Sequence, residues 1–148
     1  MEDVVVAAAQ DAFRKRLRGS DNVSDNTRNA QQIAKNWRAK VSSIDPDRFQ
    51  IEVIVAPDLD QKIDIVDVST ATAFEFKVSG KNATSEFYKD VVKVILWNQK
   101  RPRPLKALVF ITEEEFGKRY LETAMPTAYI QYLSSLGLQV QVKYVRHE

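Results

Sequence analysis

The sequence predicts an α/β (α+β) chain with one mixed sheet and helices on both faces. Three observations predict it. Segments with helical spacing and segments that alternate follow the order α, α, β, β, β, α, β, α, β. The three successive strands are joined by short connections, which is the pattern of a meander. A helical segment then separates the third strand from the fourth, and such a crossover makes parallel pairing. At 148 residues the chain is read as a single domain, 1–148.

The elements follow in order. Val5, Ala8, Ala9, Ala12, Phe13 and Leu17 share a helical face over residues 3 to about 18. "GSDNVSDNT" is a polar loop, and Asp25 or Thr27 is placed to cap a second helix. That helix carries Ala30, Ile33, Ala34, Trp37 and Val41, and "SSIDPDR" ends it, because the residue before Pro46 is pushed out of the helical region. "FQIEVIVA" alternates as the first strand, "PDLDQ" is a turn, "KIDIVDVS" is the second strand and "AFEFKVS" the third. A helix from about Ser85 stops at Pro102 and Pro104. "LKALVFIT" is apolar on both faces, as a central strand is. Thr112 is the expected N-cap of the next helix, Pro126 kinks or splits that helix, and Gly137 ends it. "LQVQVKYV" alternates as the last strand.

Composition narrows the function classes. With no cysteine, disulfides and thiolate metal sites are excluded. No apolar run reaches a membrane span, and the N-terminal charge order is the reverse of a signal peptide's, so a cytoplasmic protein is expected. Net charge is only +2, but it is unevenly placed. Arg14, Lys15, Arg16 and Arg18 form one basic cluster, and Lys100, Arg101 and Arg103 another; either can be a solvated surface or a phosphate-tracking patch. Asp58, Asp60, Asp64 and Asp67 gather acid that can hold a divalent cation. His147 is the only histidine and is near the terminus, which argues against histidine-based chemistry.

The chemistry concentrates in "KIDIVDVSTATAFEFKVSG", residues 62–80. Glu75 and Lys77 share one face of the third strand, while Phe74, Phe76 and Val78 take the other. A hairpin brings Asp64, flanked by Ile63 and Ile65, beside Glu75. Two adjacent carboxylates repel unless a cation stands between them. Lys77 is one cation; Mg²⁺ or Mn²⁺, held by oxygen ligands, is another. A Glu-x-Lys strand also occurs simply as a surface ion pair.

The stretch "IDIVDVSTATAFEFKVS", within this order of elements, resembles the PD-(D/E)xK nuclease superfamily, which includes restriction endonucleases and Holliday junction resolvases. The resemblance covers about Arg28 to Thr112. It implies a restriction-endonuclease-like core and a Mg²⁺-dependent (or Mn²⁺-dependent) endonuclease hydrolysing DNA phosphodiesters, of restriction, resolvase or defence-system type. It further implies Asp64 and Glu75 as metal ligands, the Phe76 carbonyl as a third, and Lys77 as the residue that positions or activates water. Asp58, in a literal Pro57-Asp58 pair, is a second choice for the aspartate. The family's helix glutamate has no counterpart in the helix before the strands, which leaves Glu2, Asp3 and Asp11 upstream, Glu2 being the named second choice. Lys81, Ser85, Lys89 and Lys93 are the expected DNA-backbone contacts, the last three sharing a helix face at i, i+4, i+8. Tyr88 and Trp97 are expected in packing. Cleavage of both strands needs two sites, so a homodimer is expected, within or without a larger restriction or defence complex. The competing class is a catalytically inactive nucleic-acid-binding or assembly module of the same fold; an RNA nuclease is a third.

Overall fold

The computed structural model describes residues 2–18 and 26–147. Helices α1 (Glu2–Arg18) and α2 (Asn26–Ile44) precede strands β1 (Phe49–Ala56), β2 (Leu59–Asp67) and β3 (Thr72–Lys77). A 3-10 turn, Gly80–Asn82, leads into α3 (Ala83–Lys100), followed by β4 (Ala107–Glu113), α4 (Glu114–Leu121), α5 (Ala124–Ser135) and β5 (Gln139–Val145). The five strands form one sheet in the order β1-β2-β3-β4-β5. The β1–β2 and β2–β3 pairs are antiparallel, and β3–β4 and β4–β5 are parallel. The mixed sheet expected from the meander and the crossover is therefore present.

Helices cover both faces. On one side Ile33, Trp37 and Val41 of α2 and Val5, Ala9 and Phe13 of α1 pack on Phe74, Phe76, Val109 and Ile111. On the other, Phe87, Val91, Val94 and Trp97 of α3, with Leu121 and Leu133, pack on Val66, Ala73, Leu108 and Phe110. Strand β4 thus buries both faces, which is why its sequence does not alternate. Trp37 ties the helical layer together: its indole N–H donates to the Val5 carbonyl at 3.0 Å, and its ring meets Phe76 edge-on.

Several local expectations need correction. The "PDLDQ" turn shrinks to Pro57–Asp58, because Leu59 and Asp60 already belong to β2. Thr112 is not a cap; it is the penultimate residue of β4, buried, with its hydroxyl donating to the Lys77 carbonyl at 2.8 Å. Glu113 caps α4 instead, its carboxylate accepting from the N–H groups of Glu115 and Phe116 at 2.9 and 3.0 Å. The α4–α5 break falls at Glu122–Thr123, ahead of Pro126, because the proline ring excludes a helical carbonyl four residues back while fitting the first turn of α5. Gly137 does end α5, at φ +91°, with Leu138 N–H returning to the Leu133 carbonyl. The cap expected at Asp25 or Thr27 lies outside the residues whose side chains are described.

One irregularity bears on the site. In a regular strand, residues two apart share a face. Ile65 packs against the α1–α2 layer, yet Ile63 packs against the α3 layer. Between the Ile51–Ile65 and Val53–Ile63 pairs stand Glu52 and Asp64, and Glu52 has φ +49°. The hairpin rolls over at this pair, so Asp64 sits where β2 exchanges faces. A non-glycine residue held in the left-handed region costs about 1 kcal/mol or more.

Candidate active site

Asp64, Glu75 and Lys77 come together at the end of the β2–β3 ladder. Regular pairing runs from Asp67–Thr72 to Ile65–Phe74 and then stops. Side chains replace the ladder beyond it. The Asp64 N–H donates to Glu75 Oε1 at 3.0 Å, and the Phe76 N–H donates to Asp64 Oδ2 at 3.2 Å. Each carboxylate is thus fixed by the backbone of the other's strand. A residue's N–H and C=O point to the same edge of an extended strand. The Phe76 carbonyl therefore faces the same edge as Asp64.

The group is larger than the motif. Lys77 Nζ lies 3.8 Å from Glu75 Oε2, 3.4 Å from Glu86 Oε2 and 4.0 Å from Asp90 Oδ2. Lys93 Nζ reaches Glu75 Oε1 at 2.9 Å, Asp90 Oδ1 at 3.0 Å and the Lys62 carbonyl at 2.8 Å. From α2, Arg38 lies 3.9 Å from both Asp64 Oδ1 and Glu52 Oε1. Glu75 and Asp90 are fully buried, whereas a quarter of the Lys77 side chain is exposed. Beside Lys77 a cleft of about 280 Å³ opens between α2 (Ala30, Gln31, Ala34), the end of β3 and the start of α3 (Asn82, Glu86).

The charges of the group are strongly coupled through burial and close ion pairs. Burial, then Asp64 and Asp90, push the Glu75 carboxyl well above its ordinary range against the pull of Lys93 and Lys77. Burial likewise raises Asp90, although Lys77 and Lys93 oppose it. Burial alone would lower both lysines. Both are instead raised, Lys77 chiefly by Asp90 and Glu75, and Lys93 by Glu75 and Asp90. Burial thus disfavours the charged form of Glu75 and Asp90, while Lys77 and Lys93 favour it, and Arg38 pairs with Asp64.

The donor set suits a hard cation. Glu75 Oε2 and both Asp90 carboxylate oxygens are buried without a hydrogen-bond partner, and oxygen ligands of this kind suit Mg²⁺ or Mn²⁺. Among the described residues no three or more His, Cys, Asp or Glu stand as a metal-holding group. The oxygens that converge here are the carboxylates of Asp64 and Glu75, with the Phe76 carbonyl at the same edge; a Mg²⁺ site commonly uses one or two carboxylates.

The other sequence candidates lie elsewhere. Asp58 is in the β1–β2 turn, paired with Lys100 at 3.0 Å, six residues along the strand from Asp64, or about 20 Å. Asp67 is bound by Arg48, and Asp11 pairs with Lys15 on the surface. The side chains of Glu2 and Asp3 lie outside the described residues. Lys81, Ser85 and Lys89 are exposed, as backbone contacts need to be. Lys93 is not: it is 6 % exposed and turned inward. Eight residues at 100° each overshoot two full turns by about 80°, which carries Lys93 from the Ser85 face onto the buried one. Tyr88 and Trp97 pack, as expected: Tyr88 meets Phe87 and Tyr129, and Trp97 is buried with Arg101 over its ring at 3.8 Å. Arg101 is thereby committed to structure rather than to a basic patch. His147 lies 3.5 Å from Glu113, away from the group. No described helix is long and apolar enough to cross a membrane. Comparison of the chain with protein-family models finds no match, and comparisons with curated proteins and with solved structures find none either.

Proposed function

We propose that this chain is a metal-dependent nuclease of PD-(D/E)xK type, with a restriction-endonuclease-like core, that hydrolyses DNA phosphodiester bonds. The observation that carries the reading is the interlocked Asp64 and Glu75 with Lys77 at 3.8 Å, beside an open cleft. Asp64, Glu75 and the Phe76 carbonyl would hold Mg²⁺ or Mn²⁺. Such an ion, when bound, polarises a phosphodiester and lowers the pKa of its water. Lys77 is the group that meets the substrate. Its ammonium is charged throughout the physiological range, so it acts as a hydrogen-bond donor that orients water or stabilises a phosphate oxygen, not as a base. Lys81, Ser85 and Lys89 lie on the exposed side of α3 and its approach, where they can meet a nucleic-acid backbone. Cutting both strands of a duplex then calls for a second copy of the chain.

The test is cleavage of supercoiled plasmid, linear duplex, single-stranded DNA, a four-way junction and RNA, with Mg²⁺ or Mn²⁺, by wild type and Lys77→Ala. Metal-dependent cleavage that disappears in a folded mutant supports the proposal and names the substrate. Equal cleavage by both proteins sinks it. No cleavage by either, with no stabilisation by Mn²⁺, favours the binding or assembly module.

A further inference from the structure

We infer that Lys93 is a positioning residue that takes one oxygen of Glu75 and thereby presents the other to the site. An ammonium has three N–H donors. Two of those of Lys93 are met by hydrogen bonds, to the Lys62 carbonyl at 2.8 Å and Glu75 Oε1 at 2.9 Å, and Asp90 Oδ1 lies 3.0 Å away as an ion pair. These oxygens come from β2, β3 and α3, so the buried lysine braces three elements at one atom. Glu75 Oε1 also accepts the Asp64 N–H and is held from two directions. Oε2 is the atom left without a hydrogen bond, and it faces Lys77.

The two lysines therefore divide the work. Lys77 has only longer ionic contacts, from 3.4 to 4.0 Å, and borders the cleft, so it can turn to a substrate. Lys93 is buried, holds two hydrogen bonds and an ion pair, and does not line the cleft. It acts on chemistry only through the geometry of Glu75. Its effect on cleavage rests on the nuclease reading; the brace itself does not.

The experiment uses the full chain and Mn²⁺ alone as probe, with binding read from Mn²⁺-dependent melting. Lys93→Met is expected to weaken Mn²⁺ binding about 10- to 100-fold, as loss of a ligand-orienting partner does. Lys77→Met is expected to lose cleavage while its Mn²⁺ affinity stays within about threefold of wild type, because it removes no ligand contact of that kind. Lys93→Arg, which keeps the charge, should recover part of the lost affinity. A folded Lys93→Met protein that binds Mn²⁺ as tightly as wild type overturns the inference. Melts of Lys93→Met, Glu75→Gln and the double variant decide the brace without any activity. A double variant that melts well above the additive expectation supports it; additive losses overturn it. If wild type neither binds Mn²⁺ nor cleaves, the nuclease reading fails and this cycle alone decides the brace.

Discussion

Asp67→Asn separates what holds the hairpin from what the hairpin does. Asp67 ends β2 three residues beyond Asp64, at the other end of the ladder with β3, roughly 10 Å along the strand. Its carboxylate accepts Arg48 Nε at 2.9 Å and Nη2 at 2.7 Å, and the N–H and hydroxyl of Ser69 at 3.0 and 2.8 Å. Burial works against its charge, but these donors win and lower its pKa from 3.8 to about 2. At 1.36 kcal/mol per unit that shift corresponds to roughly 2.5 kcal/mol. Asp67 is only 1 % exposed, but its neighbour Val68 is 49 % exposed. Solvent close by screens the field, and about half the figure, roughly 1.2 kcal/mol, is the reasonable share. An asparagine also turns its NH₂ against an Arg48 donor, adding about 1 kcal/mol. The expected loss is therefore about 2 kcal/mol at neutral pH. The folded pKa is depressed, so the charge-dependent part is fully present above about pH 4 and is lost as pH falls through about 2. Urea melts of both proteins from neutral pH down to about pH 2.5 should show the gap narrowing to about 1.4 kcal/mol, with about a third of the charge-dependent part still present there. A gap that stays constant with pH would refute the ion-pair reasoning. A change in metal-dependent cleavage by the folded variant would show that this end of β2 is not independent of the site.

Three further outcomes are expected. Glu52→Gly relieves φ +49° and should stabilise the chain by about 1 kcal/mol in urea melts; a clear loss would mean that the Arg38 contact outweighs the backbone strain. Glu75→Gln should abolish stabilisation by Mn²⁺, which for wild type at a hundredfold excess over Kd is worth about 2.7 kcal/mol; retention of the shift would place the ion elsewhere. Gly117→Ala puts a Cβ 2.5 Å from Tyr144 Cε1 and 2.8 Å from Thr112 Cγ2, so melts should show a loss of about 1–2 kcal/mol even though alanine favours the helix by about 1.

The element order was legible because most elements carry one clean period. The strand spans of β1 and the central character of β4 follow directly from alternation and its absence. Cap identity was less legible, since Thr112 and Glu113 are adjacent and both are sound caps; the pairing of Thr112 with the Lys77 carbonyl, 35 residues away, decides between them. Of the site, Asp64, Glu75 and Lys77 were readable from a single hairpin. Arg38, Glu52 and Asp90 were not, because they arrive from other elements and each alone looks like an ordinary surface position, and Lys93 was read as an exposed backbone contact rather than as the buried partner of Glu75. Lys93 did leave a signal: it stands between Val92 and Val94, on a helix whose buried residues include Val91 and Val94.

The polar residue between two isoleucines reads as a charge trapped in a core, but the roll of the strand changes what that pattern means. Ile63 and Ile65 serve opposite layers, so Asp64 is not enclosed by both of them at once. It stands at the crossing point, where pairing with β1 continues but the ladder with β3 has stopped. The unpaired Asp64 and Phe76 N–H groups need acceptors, and the carboxylates of Glu75 and Asp64 provide them. Those carboxylates in turn need positive charge, which Lys77, Lys93 and Arg38 supply. Each step creates the deficit that the next one meets. The last deficit is the buried Glu75 oxygen without a hydrogen bond, and on the nuclease proposal it is the one that a cation would meet.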